Sequence, residues 1–475
     1  PRRWKALAVL GVAYLMVVLD VSIVNVALPS IQTDLGFAPA DLQWVISGYA
    51  LTFGGFLLLG GRTGDLLGRR RLFMVGLALF AAFSLLCGFS VSSGMLIAAR
   101  ALQGAAGAIL SPSVFSIVSV TFEEGAERNK ALGILGAIAG SGAAIGVLMG
   151  GVLTEYVGWE WIFFVNAPIG AAALFFVPRV VRESRADGLA QHFDAAGATT
   201  VTASLMLLVY GLTQSPNVGW GSGRTIGVLL GSAVLMAAFI AIERRSRSPL
   251  VPLGFFRRRT LAGANLIGLL LGTMVFGMFF LLSLYMQQVL GFSAMKTGVG
   301  YLAVALTAIA ASGVAQALVT KAGVKPILTM GMVLLGGGLV LFSQVSVDGS
   351  YVGDLLPGFI LIGVGLGFAF VPVSIAALAG VTGAEAGLAS GLINTSQQIG
   401  GALGLAILTT VSTTRTGNLL EKGVDQATAL TDGFRLAFWV GVGFAVVAAA
   451  TTLLYLRREE LAAPGLEEAV ESAPA

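Results

Sequence analysis

Charge is what this sequence lacks most. Only 11% of its 475 residues are Asp, Glu, Lys or Arg, while 56% are hydrophobic; a soluble domain carries about 25% charge. That excludes a soluble protein and implies a chain that crosses a membrane many times. Length alone would suggest about three soluble domains, but hydropathy overrides it. Histidine is scarcer still. The single His192 lies in a polar loop, which argues against a His-based metal cluster or a catalytic triad. The single cysteine, Cys87, lies in an apolar run and excludes an intrachain disulfide. The net charge of +4 comes from basic residues set between apolar runs and not from a patch, so no nucleic-acid partner is expected. The chain opens "PRRWKAL" without a methionine, as a trimmed chain would. Its first apolar segment has span length and no small-residue cleavage site, and reads as a true helix, not a signal peptide.

Crossing the hydrocarbon takes about 20 apolar residues. Fourteen such segments begin near residues 5, 43, 72, 94, 131, 161, 196, 225, 260, 297, 327, 355, 386 and 434. The even number returns both termini to one side. Basic residues choose that side: Arg2, Arg3 and Lys5, Arg69 to Arg71, Arg244 and Arg245, Arg257 to Arg259, and Arg457 and Arg458 all share it. The other side holds only Arg224, Lys296, Arg415, Lys422 and Arg435. Both termini are therefore expected in the cytoplasm, with the chain in the cell membrane. The ending "REELAAPGLEEAVESAPA" reads as a disordered tail. Two charges remain inside spans, Asp20 and Arg100. A carboxylate in hydrocarbon costs a few kcal/mol or more, so its retention asks for a reason.

The sequence also repeats. Gly133, Gly142 and Gly146 recur as Gly391, Gly400 and Gly404; Gly107 and Pro112 recur as Gly367 and Pro372. "LGF" at Leu35 recurs at Leu290, and Gln32 answers Gln287. The order and near-constant offset divide the chain into two six-helix halves, residues 1–180 and 260–457. A two-helix insert, 181–259, separates them, and residues 458–475 form the tail. Parallel repeats about an axis normal to the membrane are a transporter architecture. Under the repeat Asp20 falls on Val275, so the charge has no partner in the second half.

Three stretches carry further chemistry. In "GRTGDLLGRRR" a tight turn with Gly64 and Gly68 links spans 2 and 3; Asp65 can meet a helix N-terminus or an arginine, and the arginines can anchor to phosphate headgroups. An ordinary positive-inside loop would look similar. In "ARALQGAAGAILSPS" Arg100, Gln103 and Gly107 share one helical face. Asp20 lies about 15 residues into span 1 and Arg100 about six into span 4 from the other side, which at about 1.5 Å per residue puts both in the outer half of the bilayer. They can touch or share a cavity; a static structural pair is the alternative. "GILGAIAGSGAAIGVLMGG" sets small residues at four-residue spacing, which lets helices approach closely. A polar stripe of Asn394, Gln397 and Gln398 lines a pathway or bonds between helices. Tyr49, Phe53, Phe276 and Phe279 are candidates for an aromatic cavity wall, with packing as the alternative.

The first of these stretches resembles the signature loop of major-facilitator transporters, with Gly61, Asp65, Gly68, Arg69 and Arg70 matching and Leu66 in place of a basic residue. The glycine stretch resembles the antiporter signature of exporting members, through Gly133, Gly142, Gly146, Gly150 and Gly151, with Val147 in place of its proline. "VVLDVSIVNVALPSIQ" and "WEWIFFVNAPIG" resemble the fourteen-span drug:proton antiporters, the former through Asp20, Asn25, Ala27, Leu28 and Pro29. The resemblance implies an all-α integral membrane protein of the major-facilitator fold: two pseudo-symmetric six-helix bundles plus two inserted helices. It implies proton-coupled efflux of hydrophobic, often cationic, small molecules, with protons as the coupling ion and no other cofactor. The expected proton-coupling residues are Asp20 and Arg100. The expected cargo-facing set is Asp20, Asn25, Tyr49, Phe53, Gln103, Phe276, Phe279, Asn394, Gln397 and Gln398. Gating falls to Gly61, Asp65, Gly68, Arg69, Arg70, Arg128, Gly142, Gly146, Gly150 and Gly151. A bound cation would compete with the proton, and a single deep acid favours monocations or neutral compounds over dications. Membrane lipids are the other expected partner, and a monomer is expected. Rival readings are a dedicated exporter of one metabolite, lipid or self-made antibiotic, a membrane-embedded enzyme, which would need a constellation the spans lack, and a scaffold, which would leave the buried acid unexplained.

Overall fold

Within hydrocarbon a backbone must satisfy its own polar groups, and helices do so segment by segment. The computed structural model describes residues 2–122, 126–184, 194–246, 249, 253–377, 379 and 386–457; His192 and the tail from 458 lie outside them. The described residues form fourteen long helices: α1 (Arg2–Leu35), α2 (Trp44–Leu67), α3 (Arg69–Gly88), α4 (Ser93–Thr121), α5 (Ala126–Tyr156), α6 (Trp161–Val180), α7 (Ala195–Val218), α8 (Gly223–Arg245), α9 (Arg259–Val289), α10 (Ala294–Ala322), α11 (Val324–Phe342), α12 (Tyr351–Ala377), α13 (Ala386–Leu420) and α14 (Gln426–Tyr455). Ten of them are long and apolar enough over their described residues to cross a membrane.

Helix ends follow local chemistry. Ser92, Asp194, Ser222, Ser293 and Asp425 each accept a backbone N–H at the start of α4, α7, α8, α10 and α14. The repeated "LGF" is a helix stop: Gly36 and Gly291 take φ of 63° and 65° just beyond α1 and α9. Gly68 (φ 110°) and Gly323 (φ 85°) do the same after α2 and α10. Two expectations need correction. Gly64 is helical, so the loop turns at Gly68 alone. α14 begins at Gln426, eight residues ahead of the expected 434. Its first turns are polar and extend past the apolar run, where hydropathy is blind, and Asp425 caps them.

The helices pack as two bundles. The core of the first is an apolar cluster confined to it, with Leu10, Phe73, Phe80 and Phe122 at its centre. A second cluster fills the other bundle and runs across into the C-terminal part of α1, the turn after it and the start of α2 through Ile23, Ile31, Leu42 and Val45. The bundles are thus joined toward the face opposite the chain termini. Gln287 Nε2 donates to the Val26 carbonyl at 2.9 Å, and Gln288 Nε2 donates to Gln32 at 2.8 Å. On the α5/α10 seam, Gly151 lies against Ala294 and Met295, and Gly298 lies against the Val147 carbonyl.

The insert sits on the other seam. α7 packs on α2 and on α13, with Gly55 against Thr202, Gln214 donating to Asp41 at 3.0 Å, and Thr410 donating to the Leu212 carbonyl at 3.2 Å. α8 packs on α7 through a reciprocal pair: Ser204 and Ser232 each donate to the other's carbonyl at 2.8 Å.

Packing also corrects the repeat by one residue. Gly146 faces Leu19 and Gly404 faces Thr273, which aligns Asp20 with Met274 and not Val275. A π turn at Tyr285–Val289 adds one residue to α9, so the match of Leu35 with Leu290 holds beyond the turn but the same offset slips by one before it.

Candidate functional site

A buried carboxylate needs donors from the protein itself. α1 places Asp20 wholly out of contact with solvent, at 0% exposure, with Arg100 of α4 at 1%. Arg100 NH1 meets Asp20 Oδ2 at 2.5 Å and Gln103 Oε1 at 2.7 Å. Gln103 Nε2 donates to Asp20 Oδ1 at 2.7 Å, one helical turn from Arg100. Asn166 Nδ2 donates to the same oxygen at 3.1 Å and to Ser84 Oγ at 2.9 Å. The ion pair is therefore embedded in a hydrogen-bonded network, whose members strengthen one another in a low-dielectric setting.

The local fold explains the convergence. α6 is interrupted at Val165, between Phe164 and Asn166. Ser84 of α3 donates to the Phe163 carbonyl beside that break, at 2.8 Å, and the restarted helix carries Asn166 to Asp20. Arg100 Nε donates to the Val45 carbonyl of α2 at 3.0 Å. The Tyr49 ring lies 4.4 Å from the guanidinium carbon and the Phe163 ring 5.6 Å from it. Gly104 and Gly107 let α4 approach α2 closely enough for this, against Thr52, Tyr49 and Phe53. Cys87 donates to Gln103 Oε1 at 3.5 Å.

The expected cargo-facing residues have different neighbours in this conformation. Asp20, Gln103 and Tyr49 belong to the network, and Phe53 stacks on Tyr49 at 5.7 Å. Asn25 donates to Val21 of its own helix. Phe276 lies against Gly401 and also packs on the apolar cluster that Ala50 and Leu51 of α2 share with α7 and α13, whereas Phe279 lies against Tyr301 at 4.9 Å within the second half. Gln398 faces Gly54 across the α2/α13 seam, Gln397 faces Gly268 and Gly272 of α9, and Asn394 is exposed. A cleft of about 870 Å³ lies farther along α1 than the ion pair, at the face opposite the chain termini, between Asp34, Glu155, Trp159, Gln287 and Phe292.

The gating set is divided too. Gly142 and Gly146 face α1 at Leu15, Val18, Leu19 and Ser22, Gly150 faces Ile23, and Gly151 turns to the second half. At Gly68 the chain enters α3. Arg69 N–H donates to the Ser184 carbonyl at 3.0 Å, and Arg70 and Arg71 N–H donate to the Glu183 carboxylate at 3.1 and 3.2 Å. A carboxylate at a helix N-terminus suits the dipole. Gly61, Asp65 and Arg128 lie in α2 and α5, but their side-chain environments fall outside the described ones. Sequence reasoning missed Asn166, Ser84, Phe163 and Glu183. Asn166 and Phe163 had a signal, since both lie in the quoted "WEWIFFVNAPIG" stretch, but neither was given a role.

Two pseudo-symmetric helical bundles, the first of which encloses a buried ion pair, have the architecture of a multi-pass membrane transporter. The Major Facilitator Superfamily model matches residues 10–405, and the chain belongs to that family; it is a transporter, not an enzyme. It is 39% identical to the puromycin resistance protein of Streptomyces alboniger over 94% of this chain and 89% of that one. It is 40% identical to the cephamycin export protein of Amycolatopsis lactamdurans over 86% of this chain and 84% of that one. Among solved structures, a bacterial homologue of the lysosomal transporter Spinster, inward-facing and unoccupied, shares the fold with a TM-score of 0.70 at 16% identity, covering 98% and 99% of the two chains.

Proposed function

We propose that this protein exports hydrophobic, monocationic or neutral compounds across the cell membrane in exchange for protons, with both termini in the cytoplasm. The observation that carries the reading is the sealed Asp20–Arg100 pair in a chain whose relatives are named for antibiotic resistance and export. An ionised pair within the first half suits a bound cation, whereas protonation of Asp20 leaves Arg100 as an uncompensated charge. Proton and cation then occupy the carrier in alternation while the halves rock about the midplane. A dedicated antibiotic exporter is the second reading, favoured by relatives whose names pair each with one compound, puromycin or cephamycin.

The test is uptake of a fluorescent lipophilic monocation into proteoliposomes under a proton gradient. Asp20→Asn is expected to abolish gradient-driven accumulation and to retain downhill movement; equal accumulation by both proteins would recast Asp20–Arg100 as a structural pair. A dication taken up faster than a matched monocation would overturn the stated preference. Competition by one antibiotic class alone would favour the dedicated exporter.

A further inference from the structure

A guanidinium does not give up its proton in a protein. When Asp20 binds a proton, the pair changes from net neutral to net positive inside a volume closed to water. The new O–H bond also turns one carboxyl oxygen into a donor, which then faces an Arg100 N–H that is itself a donor. With Asp20 neutral the guanidinium is left uncompensated, so the protonated state is costly unless other groups stabilise the cation where it stands.

The remaining partners are on the page. Arg100 keeps two acceptors, the Val45 carbonyl and Gln103 Oε1, and lies beside the rings of Tyr49 and Phe163. Aromatic faces attract a cation most strongly where water is absent. Tyr49 is buried and its hydroxyl has no hydrogen-bond partner, so the ring is the part of the side chain that the site uses. The titratable and charged groups facing Asp20 are Arg100 from α4, Tyr49 from α2 and Cys87 from α3. The helices also packed on α1 keep their described charged residues at their ends: Glu127 and Glu155 on α5, Arg179 on α6, Arg259 on α9, and Lys296 and Lys321 on α10.

We propose that Tyr49 and Phe163 are positioning residues that hold the Arg100 cation in place while Asp20 is protonated. A proton on a sealed carboxyl is then felt by the cargo as a net positive charge in the first half, without cargo touching Asp20. This inference rests on proton coupling at Asp20 and adds the means by which occupancy is signalled.

The experiment is an infrared pH titration of the full-length protein in lipid, following the protonated-carboxyl band that Asp20→Asn removes. Tyr49→Leu is expected to move its midpoint about tenfold in proton concentration, toward lower pH, as a desolvated cation–π contact would. Tyr49→Phe, which keeps the ring, should titrate with the native protein. Phe163→Leu should shift the midpoint less and the same way, and serves if Tyr49→Leu does not assemble. A native midpoint in both leucine variants, an equal shift in Tyr49→Phe, or no band sensitive to Asp20→Asn would overturn the proposal. Gradient-driven uptake, measured alongside, separates the two readings. Uptake lost in Asp20→Asn with unshifted midpoints removes this inference and leaves the function. Uptake retained in Asp20→Asn removes the function itself.

Discussion

The two halves share a scaffold and fill it differently. In the first, Gly104 of α4 packs on the Tyr49 carbonyl and Thr52 hydroxyl of α2; in the second, Gly363 of α12 packs on the Val304 carbonyl and Thr307 hydroxyl of α10. Gly76 meets Ile109 and Leu110, and Gly331 meets Phe368 and Ala369. Carried through this register, Asp20 answers to Met274, Arg100 to Phe359, Gln103 to Ile362 and Tyr49 to Val304, all buried. Phe359 lies among the rings of Tyr301, Phe342 and Tyr351, at 5.5, 5.4 and 6.1 Å. Packing alone is thus satisfied without charge at these positions. Charge in the first half answers a different demand.

The sharpest way to break the comparison is to remove one partner. Arg100→Met leaves a buried carboxylate unpaired and is expected to cost about 3–5 kcal/mol, read as thermal stability in detergent. Copying the apolar solution of the second half, Asp20→Met with Arg100→Phe, should recover most of that loss while gradient-driven uptake stays abolished. A double variant as unstable as the single one would show that the pair is needed to fold. Next in size, Phe359→Ala should cost about 3 kcal/mol through the cavity it opens and leave the pH dependence of uptake unaltered. A changed pH profile would give the second half a share in coupling.

The smallest effect concerns the polar extension of α14. The Thr428 N–H holds the Asp425 carboxyl below its usual range. A depressed carboxyl contributes above its unfolded value and loses that contribution as pH falls through the folded one. Hydrogen exchange at the start of α14 should therefore rise on acidification. Asp425→Ala should raise it at neutral pH, and Asp425→Asn, which can still cap, should not.

Spans were legible because each must be apolar over a fixed length, and the ion pair was legible because two charges stood out against hydrocarbon. The rest of the network was not. Ser84 looks like any small polar residue in a span until the break at Val165 presents the Phe163 carbonyl to it. Glu183 belongs to a loop whose role depends on where α3 begins. The repeat was misread by one residue twice: at Asp20 through a π turn, which inserts a residue without altering the apolar pattern, and in α4, where the packing aligns Gly107 with Leu366 and not Gly367. The signals that were read concern the solvent; those missed concern neighbours distant in sequence.

The insert gives the molecule a direction that its repeat does not. α7 leans on both halves along α2 and α13, whereas at the α5/α10 seam Gly151 and Gly298 bring the helices together with no inserted helix between them. A molecule diffusing in the plane of the bilayer therefore approaches a carrier with a front and a back: a wall on one flank, a bare joint on the other.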